Sequence, residues 1–241
     1  IQTSGRSAGS VGGSRVAHWM LLNQVFDEAM TDEDLTLITP QGATALKTAT
    51  DEGIFLFNAD RAADIMRVLA FAEERELSAV IHGGSEAWMV AESLAAANVA
   101  VILNPLKNLP ENFESLGARL DNAAILHKAN VRVIFSSGET HNARKVRQLA
   151  GNAAANGLPH SAALAAISST PAAVFGGEPR SLSQGARADL VIWSGDPLEV
   201  TTQAEHVILS GVPDTMVSRQ TLLRDRYLDE ATDMPRAYTK P

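Results

Sequence analysis

Four short apolar runs of this chain are each followed by side chains that can do chemistry, and the most informative of these is His82. It ends the β-branched run that begins at Val80, and the two residues after it are glycines. A histidine at the carboxyl end of a strand in a parallel α/β protein can act as a metal ligand, a base or a substrate clamp. The pattern therefore predicts a titratable imidazole at the rim of a sheet.

The other three runs end in residues of the same kind. Asn58 follows the first run, Asn104 follows the third, and Glu139 and His141 follow the fourth. The carboxyl ends of parallel strands meet at one edge of a sheet, which is where such proteins bind their ligands. We therefore expect Asn58, Asn104 and Glu139 to face one common cleft together with His82.

Each of these residues also has a simpler, structural interpretation. His82 could merely end its strand, and Asn58 could serve the turn chemistry at which asparagine is good. Glu139 could be a solvated loop carboxylate, and His141 could flank a helix that starts at Asn142. The position of His82 at a strand end favours function over its structural alternative. We interpret the remaining histidines as structural: His18, His127, His160 and His206.

Strands and helices alternate along residues 53–156, and this alternation positions the polar residues. We predict strands over residues 54–57, 79–82, 99–103 and 131–135, and helices over residues 61–75, 86–97, 119–129 and 142–156. Nearly continuous apolar runs are typical of parallel strands buried on both faces, and the alternation predicts right-handed βαβ units in an α/β fold. Asp60 opens the first of these helices, where the helix dipole alone favours a carboxylate.

The two ends of the chain differ from this alternating part. Residues 1–14 are rich in glycine and serine and predict a loop, which leads into an amphipathic helix over residues 15–30. Past Pro159 two short helices are expected. Strands are then predicted over residues 188–193 and 205–210, separated by a turn, so the tail forms a small β unit distinct from the parallel sheet.

Composition excludes several classes of function. The formal net charge is -8 and lysine and arginine form no cluster, which argues against a nucleic-acid partner. The chain has no cysteine, which excludes disulfides and thiolate metal sites. No apolar run approaches the roughly 18 residues of a membrane helix, so we expect a soluble protein of a bacterial periplasm or cytoplasm without a membrane partner. A dinucleotide-binding domain is disfavoured because no Gly-x-Gly-x-x-Gly joins a strand to a helix.

Several segments resemble the amidohydrolase superfamily, in particular its imidazolonepropionase-like and prolidase-like branch. His82 with the following glycine and residues 90–102 resembles the sixth strand and the next helix of that family. Residues 142–171 resemble the helices after its eighth strand. Residues 185–198, which read GARADLVIWSGDPL, resemble the return of the chain from the barrel to a small β-sandwich.

The resemblance spans about residues 53–228 and implies the architecture of the chain. Family members are distorted (β/α)8 barrels with a small β-sandwich. Residues 1–178 would then be a partial barrel of about four βα units, its C-terminal half, with a preceding loop and helix. Residues 179–241 would be part of the small β-sandwich and a C-terminal tail.

The resemblance also implies roles for the polar residues. In that family one or two divalent metals, held by histidines and an aspartate, activate water. His82 matches the histidine of strand six, Asn58 stands where strand five carries histidine, and Glu139 is the carboxylate nearest to the strand-eight aspartate position. These three are the implied metal ligands, for zinc foremost, and His82 and Glu139 are also the implied catalytic residues. Substrate binding would involve Asn58, Asn104 and His141.

The resemblance leaves two functions open. The first is hydrolysis of a C–N bond in a small amide, cyclic amide or dipeptide-like substrate by metal-activated water. The second is a degenerate member that binds a small molecule without turnover, which is favoured by Asn58 and by Glu139, one residue later than the family's strand-eight aspartate. Half a barrel exposes sheet edges, so we also expect an N-terminal half or a homo-oligomer to complete it.

Overall fold

The computed structural model shows four parallel strands that lie side by side in the order in which they occur along the chain. It describes residues 1–3, 9, 11–31, 35–107, 109–178 and 181–229. The strands are β1 (Phe55–Ala59), β2 (Ala79–Gly83), β3 (Ala100–Leu103) and β4 (Val133–Phe135). All three adjacent pairs are parallel, which confirms the α/β class and the strand order predicted from the alternation.

Helices precede, connect and follow these strands. They are α1 (Arg15–Thr31), α2 (Pro40–Glu52), α3 (Ala62–Glu74), α4 (Ala91–Ala96), α5 (Asn122–Lys128), α6 (Val146–Ala155), α7 (His160–Ala165) and α8 (Ser169–Val174). Two of the predicted helices begin later than expected, because 3-10 turns at Ala87–Val90 and Thr140–Lys145 precede α4 and α6. None of the helices in the described ranges is long and apolar enough to cross a membrane.

Helix α2 was not predicted, and its composition explains why. Ala43 is its only buried residue, so the helix lacks the wide apolar stripe from which helices are recognised. Its start nevertheless carries a local signal. The Thr39 hydroxyl accepts a hydrogen bond from the Gly42 backbone N–H at 3.1 Å, and Pro40 occupies the first turn. Both features are typical of helix N-termini.

The two faces of the parallel sheet have different partners. Side chains of one face, such as Phe57, Ile81 and Val101, belong to the main core with residues of the surrounding helices. Side chains of the other face form a smaller buried cluster with Val174 of α8; they are Val80, Ala100, Ile102 and Ile134. Because side chains alternate along a strand, Asn58 and His82 lie on this second face, which we call the inner face. Leu56 also lies there and is 44% exposed.

The first residues of the chain pair with the free edge of β1. The Asn58 backbone N–H donates to the Ile1 carbonyl at 2.8 Å, and the Thr3 N–H donates to the Asn58 carbonyl at 3.2 Å. Gln2 and Asn58 form a parallel bridge. Residues 1–3 therefore occupy the position of a further parallel strand beside β1.

The tail forms a compact unit of its own. The first unit holds the described residues up to 182 and residues 198–200, and the second holds residues 183–197 and 201–229. The second unit contains an antiparallel sheet of β5 (Leu190–Trp193), β6 (Ala204–Leu209) and β7 (Val212–Pro213), and also helix α9 (Arg219–Asp229). This confirms the prediction that the tail strands lie outside the parallel sheet.

A half-buried arginine ties three segments of the first unit together. Arg15 of α1 lies 3.2 Å from Asp64 of α3 and 2.8 Å from Glu114, which belongs to the long loop after β3. Burial raises the pKa of Asp64, and repulsion from Glu114 adds to this. Attraction by Arg15 and Arg61 acts in the opposite direction but is the smaller effect.

The raised pKa of Asp64 predicts how stability depends on pH. The folded state holds the Asp64 proton to a higher pH than the unfolded chain, in which an aspartate has a pKa of about 3.9. The stabilisation from protonated Asp64 is complete below that pH and is lost as the pH rises through the folded-state pKa. We expect the unfolding free energy of wild type minus that of Asp64→Asn, measured by urea denaturation, to fall as the pH rises above about 4. A difference that stays constant over this range would contradict the assignment.

Gly84, the second glycine after His82, allows a second prediction. Gly84 has a φ of 65°, and a Cβ there would lie 2.8 Å from Cγ1 of Val101. Gly138 has a φ of 74° with nothing near its Cβ position. Alanine costs about 1 kcal/mol in this left-handed region, whereas overpacking costs a further 1–3 kcal/mol or so. Gly84→Ala should therefore destabilise the protein clearly more than the matched control Gly138→Ala in urea unfolding. Equal losses of unfolding free energy in the two variants would show that the backbone near Gly84 accommodates the added Cβ without strain.

Candidate active site

Asn58 and His82 are brought together by the register of β1 and β2. They are direct partners across the parallel pair, and His82 is in turn paired with Ile102 of β3. Adjacent strands are about 4.8 Å apart, so the two polar side chains stand next to each other on the inner face. Both are half-buried. The sheet thus presents an amide beside an imidazole at its carboxyl edge.

Glu139 reaches the same region through the loop after β4. An open cavity of about 440 Å³ is lined by His82 at one side and by this loop at the other. Its lining residues are His82, Phe135, Ser136, Ser137, Gly138, Glu139, Thr140, Ala143 and Val146. Two of the loop hydroxyls shape its backbone, since Ser136 Oγ accepts from the Gly138 N–H and Ser137 Oγ donates to the Glu139 carbonyl. His82 and Glu139 therefore share one cavity.

The Glu139 carboxylate has partners in its own loop. Asn142 Nδ2 donates to Oε2 of Glu139 at 2.7 Å, and Nε2 of His141 lies 3.1 Å from the same oxygen. The Glu139 and His141 side chains are 57% and 73% exposed, so solvent screens their attraction. His141 does not line the cavity with His82; it is connected to the site through Glu139.

Asn104 lies in a neighbouring depression. This depression is lined by residues after β2 and β3, including Gly83, Lys107, Arg119 and Asn122. The Asn104 side chain accepts a hydrogen bond from the Leu106 N–H at 3.1 Å, as in a local turn. The structure thus places His82 and Glu139 in one cavity, and Asn58 beside His82 but not among the residues that line this cavity. Asn104 lines a separate depression, so the expectation of one common cleft for all four residues is wrong for Asn104.

Two carboxylates to which the sequence assigned no role in the site, Asp60 and Glu86, hold the loops at the rim. Oδ1 of Asp60 accepts hydrogen bonds from both the hydroxyl and the backbone N–H of Ser85. The Glu86 carboxylate accepts from the N–H of Ala62 at 3.0 Å, at the start of α3, and from the N–H of Gly117 at 3.1 Å. The sequence explained Asp60 by the helix dipole alone, but the structure also gives it a specific hydrogen-bond partner, Ser85. The Gly-Gly pair after His82 was the local sign that a sharp turn follows that strand.

The described residues of the site supply too few ligands for a metal centre. Zinc is held by at least three protein ligands at short distances. Within the described ranges, no three histidine, aspartate or glutamate side chains are placed to hold one ion. His82 and Glu139 supply two such donors, and an asparagine oxygen at position 58 is a poor substitute for imidazole with zinc. The described residues alone therefore do not fit the metal site that the resemblance implies.

Comparison with known proteins supports the fold. No family model matches the chain. A curated protein, amidohydrolase tasK of Hapsidospora irregularis, is 40% identical over 84 residues, which cover 32% of this chain and 9% of that protein. A crystal structure of an amidohydrolase from Thermotoga maritima superposes with a TM-score of 0.79 at 22% identity, covering 88% of this chain and 61% of that one. A prolidase solved with N-methylphosphonate-L-proline gives a TM-score of 0.52 at 18% identity, covering 71% and 47%.

These likenesses define an architecture. The chain has the fold of an amidohydrolase-type barrel, of which it carries the part built from four parallel strands. It spans 61% of the length of the Thermotoga maritima structure and 9% of the curated relative.

Proposed function

We propose that this chain is the C-terminal part of an amidohydrolase-like hydrolase that cleaves C–N bonds in a small amide, cyclic amide or dipeptide-like substrate. The observation that carries the proposal is the single cavity shared by His82 and Glu139 at the carboxyl ends of parallel strands. That edge is where barrel enzymes place their reacting groups. The amidohydrolase names of the relatives agree with the reaction type.

The two side chains divide the work of hydrolysis between them. The Glu139 side chain is 57% exposed; it takes a proton from the attacking water and returns it to the leaving nitrogen as the C–N bond breaks. His82 is half-buried at the end of its strand and donates a hydrogen bond to the carbonyl oxygen as negative charge develops there. The Asn58 amide beside it orients the same substrate group.

The alternative proposal is a binding protein without turnover. It is favoured by the polar contacts of Glu139. The Glu139 carboxylate is held by Asn142 and His141 of its own loop, and these two groups compete with a reacting water for the same oxygen. In this case His82 and Asn58 still bind a carbonyl group of a small molecule. Turnover assays combined with binding measurements on the same compounds separate the two proposals.

The expected loss of activity on substitution of His82 tests the first proposal. A general acid–base or carbonyl-polarising group contributes about 10²–10⁴-fold to rate. We expect His82→Ala and Glu139→Gln each to lower kcat/KM by at least about 100-fold on N-acyl amino acids, Xaa-Pro dipeptides or cyclic amides. The control is His127→Ala, since His127 is exposed on α5. Because His82 lies at the carboxyl edge of the sheet, His82→Ala should cost little stability.

Three outcomes decide between the proposals. Retention of wild-type kcat/KM by His82→Ala would contradict a hydrolytic site at this edge. Saturable binding of these amides without product, lost in His82→Ala, would favour the binding protein. Absence of both turnover and binding would contradict both.

We also propose that the inner face is covered by further strands, from an N-terminal half or from a second copy of this chain. Leu56 is 44% exposed on that face, and the edge of β1 already pairs with residues 1–3 in parallel.

Sedimentation distinguishes the two ways of covering the inner face. If a second copy covers it, the wild type should sediment as a dimer and Leu56→Asp as a monomer. The matched control is Leu182→Asp, whose side chain is 92% exposed and whose replacement should leave the dimer intact. A monomeric wild type that binds a hydrophobic dye, with binding lowered by Leu56→Asp, would favour a separate N-terminal half. A monomer that binds no dye would contradict both.

A further inference from the structure

The turn that follows His82 is fastened to the end of the neighbouring strand. Oδ1 of Asp60 accepts from the Ser85 hydroxyl at 2.6 Å and from the Ser85 backbone N–H at 3.1 Å. The backbone adds two more bonds, since the N–H of Gly84 donates to the Ala59 carbonyl and the N–H of Glu86 donates to the Asp60 carbonyl, both at 2.8 Å. We call the pair of bonds from Ser85 to Asp60 the rim clasp.

The glycines make room for the rim clasp. Gly83 and Gly84 have φ values of 108° and 65°, a region that side chains other than glycine rarely adopt. A Cβ on Gly83 would lie 2.9 Å from Oδ1 of Asp60, so any side chain there would push the carboxylate away. Ser85 is buried, with an exposure of 6%. Its hydroxyl and N–H therefore depend on Asp60 for hydrogen bonding rather than on solvent.

The rim clasp lies directly beyond the two residues of the candidate site. Asp60 comes two residues after Asn58, and Ser85 comes three residues after His82. Asn58 and His82 are register partners, so a bond between their following residues fixes the spacing and the twist of the two strand ends. Without the bonds from Ser85, only the two backbone bonds would hold the turn at residues 83–85, and we expect the end of β2 with the His82 side chain to shift.

We propose that Asp60 is a positioning residue of this site, whose Oδ1 holds the turn after β2 and so fixes His82 beside Asn58, and that it acts as a hydrogen-bond acceptor and not as a charge. Both donors of Ser85 are neutral, and within the described part of the chain no lysine, arginine or histidine forms an ion pair with Asp60. The amide oxygen of an asparagine accepts the same two bonds. The inference rests on the proposed function only in that His82 belongs to the site.

The test reads the environment of His82 and needs no turnover. Protein labelled with 15N at histidine is compared in imidazole spectra of wild type, Asp60→Ala and Asp60→Asn, with His82→Ala used to assign the His82 signal. The control is Asp189→Ala, because Oδ1 of Asp189 accepts a hydrogen bond from the Ser210 N–H at 2.7 Å in the second unit. We expect Asp60→Ala to displace or broaden the His82 signal more than any other histidine signal. Asp60→Asn and Asp189→Ala should leave it at the wild-type position.

Each other result contradicts the proposal. An unchanged His82 signal in folded Asp60→Ala would show that the rim clasp does not position this side chain. A displacement in Asp60→Asn as large as in Asp60→Ala would show that the charge matters and not the acceptor. If Asp60→Ala does not fold, Ser85→Ala removes the hydroxyl donor alone; it should displace the His82 signal in part, and no displacement would contradict the proposal.

An activity arm separates this proposal from the proposed function. If hydrolysis is detected, Asp60→Asn should retain kcat/KM within about threefold of wild type, whereas a carboxylate that takes part in proton transfer loses about 10²-fold or more. A large loss in Asp60→Asn would overturn the positioning role. A displaced His82 signal in Asp60→Ala with no turnover in wild type would leave the positioning role supported and contradict only the hydrolytic function.

Discussion

The pairing of Asn58 with His82 across β1 and β2 is the constraint on which the candidate site depends. Side chains alternate along a strand, so a shift of one residue in either strand would turn its polar residue into the helix-packed core. The buried neighbours prevent such a shift. Phe57 and Ile81, which flank the pair on the other face, are fully buried in the main core. The apolar face of the sheet therefore determines which polar side chains face the cavity.

The loops at the carboxyl edge depend on hydrogen bonds rather than on apolar packing. Asp60 and Glu86 accept bonds from backbone N–H groups of segments that are 24 to 31 residues away in the sequence. Such bonds satisfy donors at the rim and fix loop geometry where no strand or helix does. The rim thus combines a rigid sheet, which carries His82, with an exposed loop, which carries Glu139.

The sequence predicted the sheet well because each strand is a nearly continuous apolar run between helices. Strand order, direction and the separate β unit of the tail are local consequences of this pattern. Helix α2 escaped prediction because Ala43 is the one residue that it buries. The rim clasp and the contact of Arg15 with Glu114 were not predicted, because they join residues that are 25 and 99 positions apart in the sequence. No local pattern encodes such contacts; they arise only when the strand ends are already side by side.

We expect a small amide to bind between His82 and the loop after β4. An amide NMR titration of 15N-labelled protein with a phosphonate mimic of the tetrahedral intermediate of dipeptide hydrolysis tests this directly. Saturable shifts are expected at His82 and at residues 135–140, which line the cavity. No saturable shifts are expected in the groove between α3 and α4, which is lined by Met66, Leu69 and Ser93 among others. Shifts confined to that groove, or no saturation near His82, would contradict this binding site.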